Sequence, residues 1–437
     1  MSADGGSPEI RGRSQALLLA LALSLGTAVA LGLARFAYAL LLPAMKVDLG
    51  WSYALAGGMN AANAAGYLFG ALAAAPVMAR VGTKRAFVGM LLLTALSLLF
   101  SGVPSGYFAL AALRFVSGAT GAMVFIAGGV LASHLASSEA IDTGAHPAAG
   151  TVLAVYFGGG GLGILASGLG VPALLEFGAS GAWRWAWAAL GAASLLALIP
   201  AGRAAIGLRE PPGRPAGNAE RWSALPLWPT FFAYFLFAFG YIAYMTFAVA
   251  LLVQRGAGTL ETSLFWAVLG ISATVSAFLW GTPIERLRGG QALGVVLAVV
   301  AAGALLPLLS GSAAVAFASA VLFGGSFLAV PTTVTAIARR SLPAHAWSAG
   351  IAALTVVFAA GQCFGPIISG ALSDAANGLQ TGLTFSAAIL LVATVIALLQ
   401  KSVQPAATAG EANDKADYAP GADEEDPCPA AADGPVR

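Results

Sequence analysis

Apolar residues run along this chain in long blocks separated by short breaks rich in glycine, proline or charge. The blocks fall near residues 16 to 45, 52 to 79, 86 to 104, 107 to 134, 148 to 175, 183 to 202, 228 to 253, 262 to 284, 291 to 309, 313 to 337, 349 to 373 and 379 to 400. A helix that rises 1.5 Å per residue needs roughly 20 apolar residues to cross a hydrocarbon layer about 30 Å thick. The pattern therefore predicts an all-α polytopic membrane protein with about twelve transmembrane helices. "GRAAIGLREPPGRPAGNAERWS" reads as a linker over residues 203–227, dividing two six-helix halves at 16–202 and 228–400. Residues 1–15 form a short polar lead, and 401–437, with "GADEEDPCPA", lack apolar periodicity and read as a disordered acidic tail.

Composition makes the class firm, since 59% hydrophobic and 9% charged residues cannot be wrapped into a soluble globule. The 55 glycines suit membrane helices, where small residues let backbones approach. "RGRSQALLLALALSLGTAVALGLA" has the order of a secretory signal, but its apolar run exceeds the ~7 to 15 residues of such a segment, and further spans follow. Arg11, Arg13, Arg80, Lys84, Arg85, Arg203, Arg209, Arg214, Arg221, Arg286, Arg288, Arg339 and Arg340 fall in the lead or in even-numbered loops; the opposite loops hold only Lys46, Arg184 and Arg255. By the positive-inside rule both termini face the cytoplasm of a bacterial inner membrane. Net charge +2 gives no reason to expect nucleic acid, Cys363 and Cys428 offer no disulfide framework or metal cluster, and no GxxxxGK[ST] motif supplies an ATP site. No cofactor, no metal and no catalytic constellation are expected; a monomer is.

An internal repeat supports the two halves. "YFGGGGLGILASG" and "FAAGQCFGPIISG" place Gly159, Gly163, Ser167 and Gly168 at the same relative spacing as Gly361, Gly365, Ser369 and Gly370. Similar offsets relate Arg80 to Arg286, Gly118 to Gly324 and Tyr38 to Tyr244. Duplication with a site at the repeat interface is the logic of alternating-access transporters.

"ARVGTKR", with Arg80, Gly82, Lys84 and Arg85, resembles the major facilitator superfamily signature between spans two and three, although Ala79 stands where that family usually carries an Asp. "IERLRGG" keeps Glu285 and Arg286 at the equivalent place, and "LRFVSGATGA" supplies the Arg114, Gly118, Ala122 pattern of the fourth span. "GLARFAYALLLPAM", "NAAGYLFGAL", "FAFGYIAYMTF" and "GQCFGPIISGALSD" are similar to the YbfB/YjiJ-like branch of that superfamily. The resemblance implies the major facilitator fold, secondary transport, a central cavity bordered by spans one and four, and coupling to protons. It also implies conformational roles for Arg80, Gly82, Lys84, Arg85, Glu285 and Arg286. Gly159, Gly163, Gly361, Gly365 and Pro366 are expected on rocking surfaces.

The chemistry centres on Arg35, a cation at membrane depth in a span without an acid. Burying it against lipid costs about 2.5 to 3.5 kcal/mol on insertion scales, so it faces a cavity or partner, or snorkels to the interface. Ser24, Thr27, Arg35 and Tyr38 share one side of the first helix. Arg114 enters the fourth span at a similar depth and either joins Arg35 in gripping a carboxylate or holds backbone carbonyls. Tyr234, Tyr241, Tyr244 and Phe247 draw an aromatic stripe on the seventh span, Asn60, Asn63 and Tyr67 a polar face on the second, and Gln362 stands beside Gly361. For each of these, helix packing is the plainer alternative to ligand contact; His134 and His146 read as surface residues.

The expectation is a secondary transporter of a small organic solute, an organic anion, its site near the bilayer middle. No acid in the span interiors serves a proton relay, which leaves facilitated diffusion, exchange, or a proton travelling with the substrate open. Efflux of hydrophobic compounds and a non-transporting solute sensor are the rivals.

Overall fold

The computed structural model describes residues 13–143, 146–177, 181–211, 223–343, 346–375 and 378–402. Among the described residues, twelve helices are long and apolar enough to cross a membrane: α1 Ser14–Leu49, α2 Tyr53–Val81, α3 Thr83–Phe100, α4 Tyr107–Ser137, α5 Gly150–Glu176, α6 Ala182–Gly207, α7 Leu225–Gln254, α8 Thr259–Arg286, α9 Gln291–Leu309, α10 Ala313–Ser341, α11 Ala349–Ala375 and α12 Leu379–Leu398. The predicted spans are all present, with shifted ends. Helix α6 continues to Gly207, past the expected start of the linker, and α7 opens with a 3-10 turn at Leu225–Leu227. Residues 1–12, 212–222 and 403–437, which hold most of the expected lead and tail and the middle of the expected linker, lie outside the described residues, as do the side chain of His146 and the loop beside it.

Two helices are not uniform. Within α1 the segment Ala28–Phe36 is π-helical, closing with Ala37 N–H donating to Gly32 O at 2.9 Å. Helix α10 breaks at Leu328, three residues before Pro331, whose ring cannot donate to the Phe327 carbonyl and crowds it.

Each half repeats one packing scheme. Helices α2 and α4, α3 and α4, α3 and α6, and α1 and α5 pack in the first half, matched by α8 and α10, α9 and α10, α9 and α12, and α7 and α11 in the second. Gly118 abuts the Asn63 carbonyl and Gly324 the Leu269 carbonyl, so the same contact recurs at equivalent positions. The halves meet through α2 on α11, α5 on α8, and the last turns of α1 on α7.

The glycines expected on rocking surfaces face elsewhere. Gly159 and Gly163 take the Ser24 and Ala28 carbonyls of α1, and Gly361 and Gly365 take the Phe235 and Phe239 carbonyls of α7. These four lock helices within one half. The contact between halves belongs to Gly161 and Gly168 of α5 against Gly270, Thr274 and Trp266 of α8, and to Gly57 and Gly370 in the α2 to α11 crossing. Pro366 does sit between halves, its carbonyl against Gly57.

The two ends of the bundle differ. At the end carrying the α1–α2 and α11–α12 connections, Asp374 of α11 accepts from the backbone N–H of Tyr53 and Ala54 at 2.8 and 2.9 Å, capping α2 across the halves. Tyr53 also lies edge-on to Phe247 of α7 at 6.1 Å, with the Lys46 ammonium 4.2 Å from its ring. Asp374→Ala should weaken this closure by about 1 kcal/mol. The readout is thiol labelling of a cysteine placed at Ser52 in a background lacking Cys363 and Cys428, which should quicken several-fold; unchanged labelling would show that the cap does not hold the halves together.

At the opposite end the described bonds stay within a half. Lys84 Nζ donates to the Ile206 and Leu208 carbonyls at 3.2 and 2.8 Å, while Glu210 accepts from Thr83 N–H, so α3 and α6 cap each other. Arg340 does the same for α8, donating to the Leu287 and Glu285 carbonyls at 3.2 and 3.3 Å. Gly82, with φ of 86°, makes the turn between α2 and α3 that few other residues tolerate. Arg80, Arg85, Glu285 and Arg286 are exposed there. Of the resembled signature, Lys84 thus acts as a brace between α3 and α6.

Candidate functional site

Position 35 falls within the π-helical segment of α1. Such segments often mark functional sites, because the wider turn re-aims side chains and frees carbonyls from the ordinary ladder. Arg35 is 4% exposed, and its Nε and Nη2 find no hydrogen-bond partner among the described residues. Its guanidinium carbon lies 4.8 Å from the centroid of the Tyr67 ring, which accounts for some of its charge through the ring face. The described acids stand at or beyond the span ends, Asp48, Glu176, Glu261, Glu285 and Asp374 among them, so the charge has no internal counter-ion.

Arg114 is used differently. Its Nη1 donates to the Ala34 carbonyl at 2.5 Å and its Nη2 to Asn60 Oδ1 at 3.2 Å and the Arg35 carbonyl at 3.5 Å. Two carbonyls of the π-helical segment are therefore held by a guanidinium from α4, flanked by the Tyr38 and Trp187 rings at 5.1 and 5.4 Å. Only its Nε is left without a partner. Of the two roles open for Arg114, the structure shows the backbone one.

The facing wall comes from the second half. Tyr241 of α7 stacks on Phe237 at 4.7 Å, on Phe358 of α11 at 5.8 Å and on Phe327 of α10 at 6.1 Å, all within 20° of parallel. Tyr234 stacks on Phe358 at 4.6 Å, and Phe36, next to Arg35, meets Phe327 edge-on at 5.8 Å. Gln362 is fully buried; its Nε2 donates to the Tyr241 hydroxyl, and its Oε1 has no partner among the described residues. Tyr67, Tyr234, Tyr241 and Cys363 all lie within electrostatic range of Arg35.

Of the expected site residues, Arg35, Tyr67, Tyr241 and Gln362 come together where the halves meet. The others make fixed contacts. Tyr38 donates to the Ala56 carbonyl at 2.8 Å, Asn63 to the Arg114 carbonyl and Ser117 hydroxyl at 3.1 Å, and Tyr244 shares a 2.5 Å bond with Ser319. Asn60 is a bridge, donating at 2.7 Å to Thr246 of α7 while holding Arg114. Phe36, Phe327 and Phe358 were not anticipated. Pro331 was the available signal for Phe327, since the break it forces lies at that turn.

Two duplicated six-helix halves enclosing a buried polar centre define a membrane transporter of the major facilitator type. The chain belongs to the family described as "Uncharacterised MFS-type transporter YbfB", whose model matches residues 27–398. Two solved structures of a bacterial homolog to the human lysosomal transporter Spinster, inward-facing and either occupied or unoccupied, superpose with TM-scores of 0.67 and 0.66 at 15% and 16% identity. They cover 87% and 90% of this chain, and 95% and 97% of their own. The nucleoside transporter NupG gives 0.64 at 14% identity, over 87% of this chain and 97% of its own. Likeness at this identity carries the fold alone. A search of curated proteins gives no match.

Proposed function

We propose that the protein carries a small organic anion across the bacterial inner membrane by alternating access, acting as a monomer, with both termini in the cytoplasm. In that orientation the end where Asp374 and its neighbours tie the halves together faces outward. The observation that carries the reading is Arg35. A buried guanidinium with two unpartnered N–H groups and no acid within the membrane is costly unless an anion completes it. Arginine holds a carboxylate through two parallel bonds, which favours an anion over a neutral sugar. A proton, if one is coupled, travels with the carboxylate, since the span interiors offer no acid to carry it.

Thermal unfolding of the purified protein with mono- and dicarboxylates, amino acids, sugars and lipophilic cations tests this. A ligand at one hundred times its dissociation constant adds about 2.7 kcal/mol. Carboxylates should stabilise the wild type and leave Arg35→Gln unmoved. The aromatic wall of Tyr241, Phe327 and Phe358 favours one rival, efflux of lipophilic compounds. Stabilisation of both proteins by lipophilic cations alone would replace the anion reading with that one.

A further inference from the structure

Three unsatisfied groups and one wall specify more of the solute than its charge. We infer that the solute is a monocarboxylate with a flat aromatic body and one hydrogen-bond donor, an inference that rests on the anion site proposed above. The unpartnered Arg35 atoms are Nε and Nη2, which share one edge of the guanidinium. One carboxylate satisfies both by side-on, parallel bonds. Arg114 lies within electrostatic range of Arg35, but its Nη1 and Nη2 are committed to the Ala34 and Arg35 carbonyls and Asn60, so Arg35 alone has a free edge to grip a carboxylate and a second carboxylate would enter a buried place with no such donor pair.

The body is set by the rings. Phe327, Tyr241 and Phe358 lie nearly parallel, with Tyr241 tilted by 20° and 10° from its two neighbours; Phe327 and Tyr241 are almost wholly buried, and a flat ring seated beside them would extend the stack by offset contact. The donor is set by Gln362. Its amide nitrogen is spent on Tyr241, which leaves a buried carbonyl oxygen that can only accept. A hydroxyl or amine on the solute meets that need; a second carboxylate, having no proton to give, does not.

The test compares benzoate, 3- and 4-hydroxybenzoate, heptanoate, terephthalate and benzamide for stabilisation of the wild type, Arg35→Gln and Gln362→Leu. One of the hydroxybenzoates should bind about 10-fold tighter than benzoate, as expected when a buried acceptor gains its donor. That advantage should disappear in Gln362→Leu while benzoate binding stays. Benzoate should in turn exceed heptanoate and terephthalate, and benzamide should not bind. If heptanoate binds as well as the ring acids, and all are lost in Arg35→Gln, the anion site stands and this inference falls. If terephthalate binds best, the single-charge argument is wrong. If no carboxylate stabilises the wild type, both readings fall together.

Discussion

Replacing Arg114 by methionine should cost the fold roughly 3 kcal/mol or more, because three buried acceptors lose their donor at once. The acceptors are the Ala34 and Arg35 carbonyls and Asn60 Oδ1, and methionine fills the volume without offering an N–H. Lysine should recover only part of the loss, since one ammonium cannot span the fork that the guanidinium makes. The measurement is the melting temperature in detergent of Arg114→Met and Arg114→Lys beside wild type. A methionine variant that melts like wild type would show that the π-helical segment holds itself, and Arg114 would then be available to the solute after all.

The second large effect separates two glycines on one helix. Gly163→Val drives a side chain into the Ala28 backbone of α1, inside the first half, where neither helix can withdraw without opening the core. It should destabilise by about 1 to 3 kcal/mol or more. Gly161→Val points instead at Gly270 and Thr274 of α8, across the boundary between halves. Its clash exists only while α5 and α8 touch there, so the cost falls on one arrangement of the transporter and spares the other. A differential cost of about 1.4 kcal/mol shifts the two-state ratio tenfold. Spin-label distances between the halves should lengthen at the closed end in Gly161→Val, with little change in melting. Equal losses of stability in the two variants would mean that the two contacts are of one kind.

Span number and duplication were legible because both are written in residue type: apolar blocks of membrane length, and small residues at a repeated spacing. Which face each glycine presents was not. Gly159, Gly161 and Gly163 sit two residues apart, about 200° around the helix axis, so one string contains both a same-half and a between-half surface. The depth of Arg35 was readable from its place in the first span, and so was its lack of an acid. That the Arg114 guanidinium is committed to backbone was not, because the carbonyls it holds belong to a π-helical segment, "AVALGLARF", with no proline to mark it. Asn60 and Tyr67 looked alike as polar residues on one helix, yet Thr246 takes the first and Arg35 the second. Such partners come from other helices and leave no trace in local pattern.

Under the proposed anion transport, the buried cations Arg35 and Arg114, neither with an acid in the described span interiors, have an electrical consequence. A voltage of 100 mV does about 2.3 kcal/mol of work on one elementary charge that crosses it completely. An empty seat would therefore sense the membrane potential for whatever fraction of the field it traverses and be drawn toward the negative face; a monoanion bound at Arg35 would halve that pull. With the termini in the cytoplasm, as proposed, the resting voltage would favour the inward-facing vacant carrier more strongly than the loaded one, biasing direction without any dedicated coupling residue.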